Sequence, residues 1–323
     1  MPFTHSQLDE AVDIVRATMP PTPQYAWPLL AEALGAQVWV KHENHTPTGA
    51  FKVRGGLVYV EHLRRDRPHV AGVISATRGN HGQSVAFAGR AKGIAATIVV
   101  PFGNSPDKNS AMRAWGATLI EHGHDFQAAR EFAQAQSVEL GLEMVPSYHI
   151  DLAAGVATYA LELFAAAGEL DAVYVPVGMG SGICGVIGVR DLLGLRTEVI
   201  GVVAERAPAM ALSFAAGHVV TSDSADTFVD GVACRVPDAT AIDVIVRGAA
   251  RIVQVSDELC ADAVRLLLRT THNLPEPAGA VATAGLMVER ERQQGKRVGV
   301  VMSGGNLDAA LMAVLVAGGT PAA

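Results

Sequence analysis

Thr46-Pro47-Thr48-Gly49-Ala50-Phe51-Lys52-Val53-Arg54-Gly55-Gly56 delivers a single lysine from a turn-rich segment into an apolar, glycine-flanked setting. Poor solvation lowers an amine from roughly 10.4 towards a pKa at which it can attack a carbonyl or take a proton. Lys52 is the candidate nucleophile, at the start of a helix expected over about Phe51 to Arg65. Two further turns could hold anions. Asp171 to Val177 reads as a buried strand that runs straight into Gly178-Met179-Gly180-Ser181-Gly182-Ile183-Cys184-Gly185 and then a helix, a sequence suited to cradling a phosphate. Ser75-Ala76-Thr77-Arg78-Gly79-Asn80-His81-Gly82-Gln83 passes from a strand end through glycine into a helix, and can hold a carboxylate or phenolic oxygen.

These turns need strands to carry them. Short β-branched runs alternate with helix-period segments along the chain, the pattern of βαβ units and a mainly parallel sheet. Strands are expected at Gln37 to Lys41, Val70 to Ser75, Thr97 to Pro101, Thr118 to Glu121, Ala172 to Val177, Glu198 to Ala204, Ile252 to Val255 and Arg297 to Met302. Helices are expected at Asn80 to Lys92, Asp107 to Trp115, Asp125 to Leu140, Val156 to Ala166, Asp257 to Thr271 and Ala278 to Gln293. Charge and glycine punctuation suggests breaks near Arg64 to His69 and Pro146 to Asp151, so that residues 65–149 form a small α/β domain inserted into a larger one made of 1–64 and 150–323.

Composition narrows the partners. The 323 residues carry a net charge of -7, with 50% hydrophobic and 18% charged residues, enough apolar mass for one large core or two modest ones. No basic block argues for nucleic acid or anionic lipid, so a small molecule is the default ligand. Cys184, Cys234 and Cys260 are widely spaced, and the N-terminus lacks a secretory pattern, which together suggest a reducing cytoplasmic setting. No stretch of roughly 18 uninterrupted apolar residues suggests a membrane span. The histidine pairs His42 with His45 and His122 with His124 have no third partner at metal-ligand spacing, so no metal is expected there.

The glycine turn permits two readings. Gly180, Gly182 and Gly185 spell GxGxxG, and Glu205 ends the following strand where a dinucleotide fold would place its ribose acid, which keeps a nicotinamide-dependent oxidoreductase as the rival. A turn of this kind usually opens its domain, whereas here it follows a separate α/β block. Near the C-terminus, a third strand-to-helix turn, Ser303-Gly304-Gly305-Asn306, carries a hydroxyl at its tip.

The segments TGAFKVRGG, RGNHGQS, PVGMGSGICG, EPAGA and SGGN, in this order and spread over nearly the whole chain, resemble the fold-type II pyridoxal-phosphate enzymes of the serine/threonine dehydratase and serine racemase group. The resemblance implies two three-layer α/β/α domains with mostly parallel twisted sheets, pyridoxal 5'-phosphate as cofactor and a homodimer. It implies that Lys52 forms the Schiff base and that Gly178, Met179, Gly180, Ser181 and Gly182 bind the phosphate. Asn80 would bond the ring oxygen, Ser303 would face the pyridine nitrogen, and Glu276 would lie on the far side of the cofactor. Thr77, Arg78, Gly79, Asn80 and His81 would receive the substrate carboxylate.

The activity so implied is elimination of the β-hydroxyl of a threonine- or serine-type amino acid to give a 2-oxo acid and ammonia. This chain departs from the group's pattern at Arg78, where the racemase needs a serine as its opposite-face acid; an arginine cannot exchange a proton at ordinary pH. Arg78 could instead pair with a second anionic group on the substrate, such as the β-carboxylate of 3-hydroxyaspartate. Positions matching the divalent-ion ligands of relatives hold Val203 and Ala209, so no such ion is expected, and the chain's end soon after its last helix suggests no appended regulatory domain.

Overall fold

The computed structural model describes residues 2–322 and contains two sheets. In chain order the strands are β1 (Gln24–Ala26), β2 (Gln37–His42), β3 (Gly72–Ala76), β4 (Ala95–Val100), β5 (Thr118–Glu121), β6 (Glu143–Met144), β7 (Ala172–Pro176), β8 (Glu198–Ala204), β9 (Arg251–Val255) and β10 (Arg297–Met302). Six form one sheet in the order β1-β2-β10-β7-β8-β9, parallel except for β1 at its edge. The other four form an all-parallel sheet, β5-β4-β3-β6, drawn wholly from residues 72–144. Every residue of β3 and β7 is buried, as burial of a sheet on both faces requires, and the one polar side chain of β3, Ser75, donates to the Val145 carbonyl.

Helices cover both faces of each sheet. One side of the larger sheet packs against Pro28–Leu34, Asp257–Thr271 and Pro277–Val288, and the opposite side against Ile150–Ala167 and Ser181–Leu192. The smaller sheet lies between Asn80–Lys92 on one side and Phe126–Glu139 on the other. The protein is therefore a pair of three-layer α/β/α sandwiches, the fold class the sequence suggests.

Lys52–Asp66 lies where the two sandwiches meet, packed against both Asn80–Lys92 and Ile150–Ala167. The glycines that follow Lys52 permit that approach. A Cβ on Gly55 would lie 2.7 Å from the Leu152 carbonyl oxygen, and one on Gly56 would lie 2.2 Å from Ser84 Oγ. Gly155 answers from the other helix, where a Cβ would lie 2.4 Å from the Arg54 carbonyl oxygen.

Parallel pairing also sets where the loops go. β2 and β10 pair in register from Gln37 with Arg297 to His42 with Met302, and β10 pairs with β7 from Val298 with Ala172. The segments leaving the ends of β2, β10 and β7 therefore leave the same edge, where open α/β sheets bind ligands.

Several elements differ from the sequence expectations. Ile150–Ala167 begins six residues before the expected Val156, because Ala-rich residues 152–157 bury their small side chains against neighbouring helices. Pro277–Val288 ends early and is followed by a separate 3-10 turn, Glu291–Gln293. Strands β1 and β6, of three and two residues, are too short to carry an alternation. Ile150–Ala167 is also long and apolar enough, by length and composition, to cross a membrane. Its buried flank and the buried Glu162 make it a core helix of this fold.

Candidate active site

Lys52 begins its helix directly behind Phe51, whose N–H donates to the Ser303 carbonyl at 3.0 Å. That bond ties the lysine's approach segment to the end of β10. The Lys52 amine reaches into a cavity of about 170 Å³ between the sandwiches, 3.5 Å from Ser181 Oγ and 4.8 Å from the Phe51 ring centre. No carboxylate comes within ion-pair distance of it among the described residues. Burial pushes its pKa down to about 8, with Glu276 pulling weakly the other way.

The glycine turn faces this amine. Gly180 has φ +100 and precedes Ser181–Leu192, and a Cβ there would lie 2.9 Å from Ala241 Cβ, so only glycine fits without strain. The helix's first internal bond runs from Cys184 N–H to Gly180 C=O at 3.0 Å, and no side chain caps it. The N–H groups of Ser181, Gly182 and Ile183 are therefore available at a positive helix end. Gly178 and Met179 line the same cavity, and Ser181 is buried beside it.

Across the cavity the turn after β3 presents a second uncapped helix start, Asn80–Lys92. Thr77 Oγ1 accepts the N–H of Gly79 at 3.0 Å and that of Gly82 at 3.4 Å, fixing the loop from within. Arg78 is exposed at the cavity mouth, while His81 faces inward with an unpartnered Nε2. Burial, aided by the Lys52 charge, holds His81 down to about 3, so its imidazole is neutral.

A chain of amides orders the far wall. Asn306 Nδ2 donates to the Thr48 carbonyl at 2.8 Å and to Asn80 Oδ1 at 2.7 Å. Asn80 Nδ2 in turn donates to Glu276 Oε1 at 2.6 Å, leaving its second N–H free. Glu276 is 2% exposed and its Oε2 has no partner. Burial raises this carboxyl to about 7 despite the opposing Lys108 charge. Ser303 is buried and donates to the Ala278 carbonyl at 3.2 Å, while the next helix starts only at Ala309, so Ser303 is not a helix cap.

The residues that the family resemblance assigns to the site thus meet around one cavity: Lys52, Thr77 to His81, Gly178, Met179, Glu276 and Ser303 line it, with Gly180, Ser181 and Gly182 completing the glycine turn beside it. Three residues were not foreseen. Lys108 pairs with Asp230 at 2.5 Å across the cavity, and burial, which would lower Lys108, is outweighed by that carboxylate, so its pKa is raised. Asn306 sets the amide orientation. Lys108 and Asp230 sit in no distinctive motif, whereas Asn306 closes the SGGN turn and could have been noticed as the polar residue following its two glycines.

A phosphorylated aromatic aldehyde fits these donors. The uncapped N–H groups at residues 181–183 suit a phosphate, the lowered amine of Lys52 suits a carbonyl, and the free Asn80 N–H suits a ring oxygen.

Comparison with known proteins gives the class. Residues 15–304 match the family described as pyridoxal-phosphate dependent enzyme, and the chain belongs to that family, with pyridoxal 5'-phosphate as its cofactor. Among its relatives is an L-threo-3-hydroxyaspartate ammonia-lyase from Saccharomyces cerevisiae, 30% identical over 98% of this chain and 97% of that protein. An L-threonine ammonia-lyase from Thermotoga maritima is 34% identical over 87% of this chain and 70% of that one. The processed form of threonine deaminase isoform 2 from Solanum lycopersicum superposes with a TM-score of 0.89, at 27% identity, covering 98% of this chain and 94% of the other.

Proposed function

We propose that this protein is an ammonia-lyase that removes the β-hydroxyl of a threonine- or serine-type amino acid and releases a 2-oxo acid and ammonia. The observation that carries this reading is the Lys52 amine, recessed, unpaired with any carboxylate and facing Ser181 at the open helix start. When bound, the cofactor supplies an electron sink for the pair left on the substrate's α-carbon. The chain's own residues do the rest. Lys52 takes the α-proton, for which a pKa near neutrality is suited. The loop from Thr77 to His81 holds the substrate carboxylate through the N–H groups at its helix start. Gly178, Met179, Gly180, Ser181 and Gly182 hold the cofactor phosphate. Asn80 would orient the ring oxygen, and Ser303, a neutral hydroxyl that can turn its proton from the Ala278 carbonyl, would face the ring nitrogen without forcing it to carry a proton. Glu276, with a pKa of about 7, can hold a proton at the site on its unpartnered Oε2 while its Oε1 accepts the Asn80 N–H.

Arg78 supports a variant of the same reading in which the substrate is 3-hydroxyaspartate, the compound named for the yeast relative. The nicotinamide reading is less well supported. A Cβ on Gly185 would lie 3.0 Å from Ala157 N, so this glycine serves the packing of Ser181–Leu192 on Ile150–Ala167, and Glu205 is exposed.

The enzyme is further proposed to be a cytoplasmic homodimer. Its helix Ala309–Val316 leaves Met312, Val314 and Val316 uncovered, an apolar face of the kind subunits bury. Residues 65–149, which contain the whole of the smaller sheet, are proposed as an inserted domain.

The test is to load the purified protein with pyridoxal 5'-phosphate, record its visible absorption, and assay 2-oxo acid release from threonine, serine and both 3-hydroxyaspartate diastereomers. A band abolished by Lys52→Ala, with turnover of at least one substrate, is the expected result. A colourless protein, or a coloured one that releases no 2-oxo acid from any hydroxy amino acid, would overturn the reading.

A further inference from the structure

The 170 Å³ cavity opens past Arg78, Phe126 and Met179 into a second chamber of about 460 Å³, more than twice its size. The charges of this outer chamber are not balanced. Each of its three carboxylates is already engaged. Asp226 pairs with Arg206, Asp230 pairs with Lys108 at 2.5 Å, and Asp125 accepts the Ala128 N–H at 2.8 Å as cap of Phe126–Glu139. Arg235 adds a weaker pull on Asp125.

The three guanidiniums of the wall are not matched in the same way. Arg235 has only the Ser222 carbonyl, at 3.4 Å, and among the described residues Arg78 and Arg130 have neither a hydrogen bond nor an ion pair. Three guanidiniums thus line the chamber beside three carboxylates, two of which are already neutralised by Lys108 and Arg206 from outside its wall, leaving an excess of positive charge. Charges that line one chamber are screened little over distances shorter than about 8 Å, so such an excess draws anions. Guanidinium forks favour carboxylate or phosphoryl oxygens in particular.

We propose that the outer chamber binds an oxyanion at the far end of the substrate's side chain, so that the physiological substrate is a β-hydroxy α-amino acid whose side chain extends past Arg78 and ends in a carboxylate or phosphoryl group held by Arg130 and Arg235. This rests on the ammonia-lyase reading for the amino-acid end and goes beyond it for the distal end. A side chain as short as that of serine or threonine leaves the larger chamber to water. The Arg78 position alone would suit an anion on the β-carbon itself, whereas Arg130 and Arg235 line only the outer chamber.

Calorimetric titration of the cofactor-loaded enzyme with dicarboxylates from malonate to adipate, each beside the monocarboxylate of equal length, tests the subsite without needing turnover. At one chain length or more the dicarboxylate should bind about tenfold more tightly than its partner, the effect of one added charge-assisted contact. That preference should disappear in R130Q/R235Q, with retained cofactor absorbance reporting an intact fold. The single variants serve if the double one does not fold. Running 3-phosphonopropionate beside succinate, which has the same two-methylene spacing, separates a phosphoryl from a carboxylate preference. Equal binding of mono- and dicarboxylates at every length, or a preference that survives loss of both arginines, would overturn the subsite. A surviving dicarboxylate preference in a protein that turns over no hydroxy amino acid would instead sink the ammonia-lyase reading and leave the subsite standing.

Discussion

Two cations on the same helix, Lys52 and Arg54, stand two residues apart and live in opposite surroundings. Arg54 is fully buried and saturated: its Nε donates to Glu43 at 2.7 Å, and its Nη1 donates to Glu162 at 2.7 Å and to Thr158 at 2.9 Å. Lys41 adds a 2.5 Å contact to Glu162, and Arg16 closes the group from the surface side at 2.9 Å. Burial works against the Arg54 charge, but Glu43 and Glu162 outweigh it and raise its pKa. Lys52, on the cavity side, is given no such partner, and burial wins. The difference teaches where this fold spends its carboxylates: behind the helix they neutralise charge, and in front they are withheld, which leaves a reactive amine. Glu276, the acid closest in effect to Lys52, is itself held near half-protonation.

The largest effect should come from removing the amine. Lys52→Ala should cost roughly 10⁴-fold or more in kcat/KM, with loss of the cofactor band, and should not lower the stability of the cofactor-free protein, since a desolvated amine is removed and no ion pair is broken. A variant that keeps the band and most of its turnover would place the chemistry elsewhere.

Removing the neighbouring cation should do the reverse. Arg54→Met strands Glu43 and part of Glu162 inside the core, a loss of about 3–5 kcal/mol of stability. Chemical denaturation would measure it. If unfolding is unmoved while activity falls, the cluster serves the site and not the frame, and the contrast between the two residues fails.

The smallest effect concerns pH. In cofactor-free protein Glu276 titrates near 7 instead of 4.5, so between those values the folded state holds more protons than the unfolded one. Its contribution is complete below 4.5 and is lost as pH rises through 7, by up to about 3 kcal/mol. Lys52, lowered from 10.5 to about 8, acts oppositely: the unfolded chain binds the extra proton, and stability rises with pH across that window. Glu276→Gln should flatten the first slope and leave the second, as followed by melting temperature across pH.

Much of this was legible in the residues. Eight expected strands and the helices Asn80–Lys92 and Asp257–Thr271 correspond closely to the observed elements, because buried parallel strands and amphipathic helices write their periods locally. The family, too, follows from five short segments in order. The buried cluster around Arg54 was not legible. Glu43 and Glu162 lie 11 and 108 residues from it, and nothing in their local sequence distinguishes them from solvated acids. Lys108 and Asp230 escaped for the same reason, being 122 residues apart and adjacent only through the facing of the two sandwiches.

By itself the sequence determined which backbone turn can exist: glycine at position 180, with φ +100, is a local steric condition, and so is the open helix start that follows it, whereas Gly55 and Gly56 are helical glycines whose need comes from Leu152 and Ser84. Only the tertiary structure decided the ionisation of Lys52, Glu276 and His81. Desolvation and the distance to other charges set a pKa, and both come from segments far apart in the chain that meet at the edge shared by β2, β10 and β7.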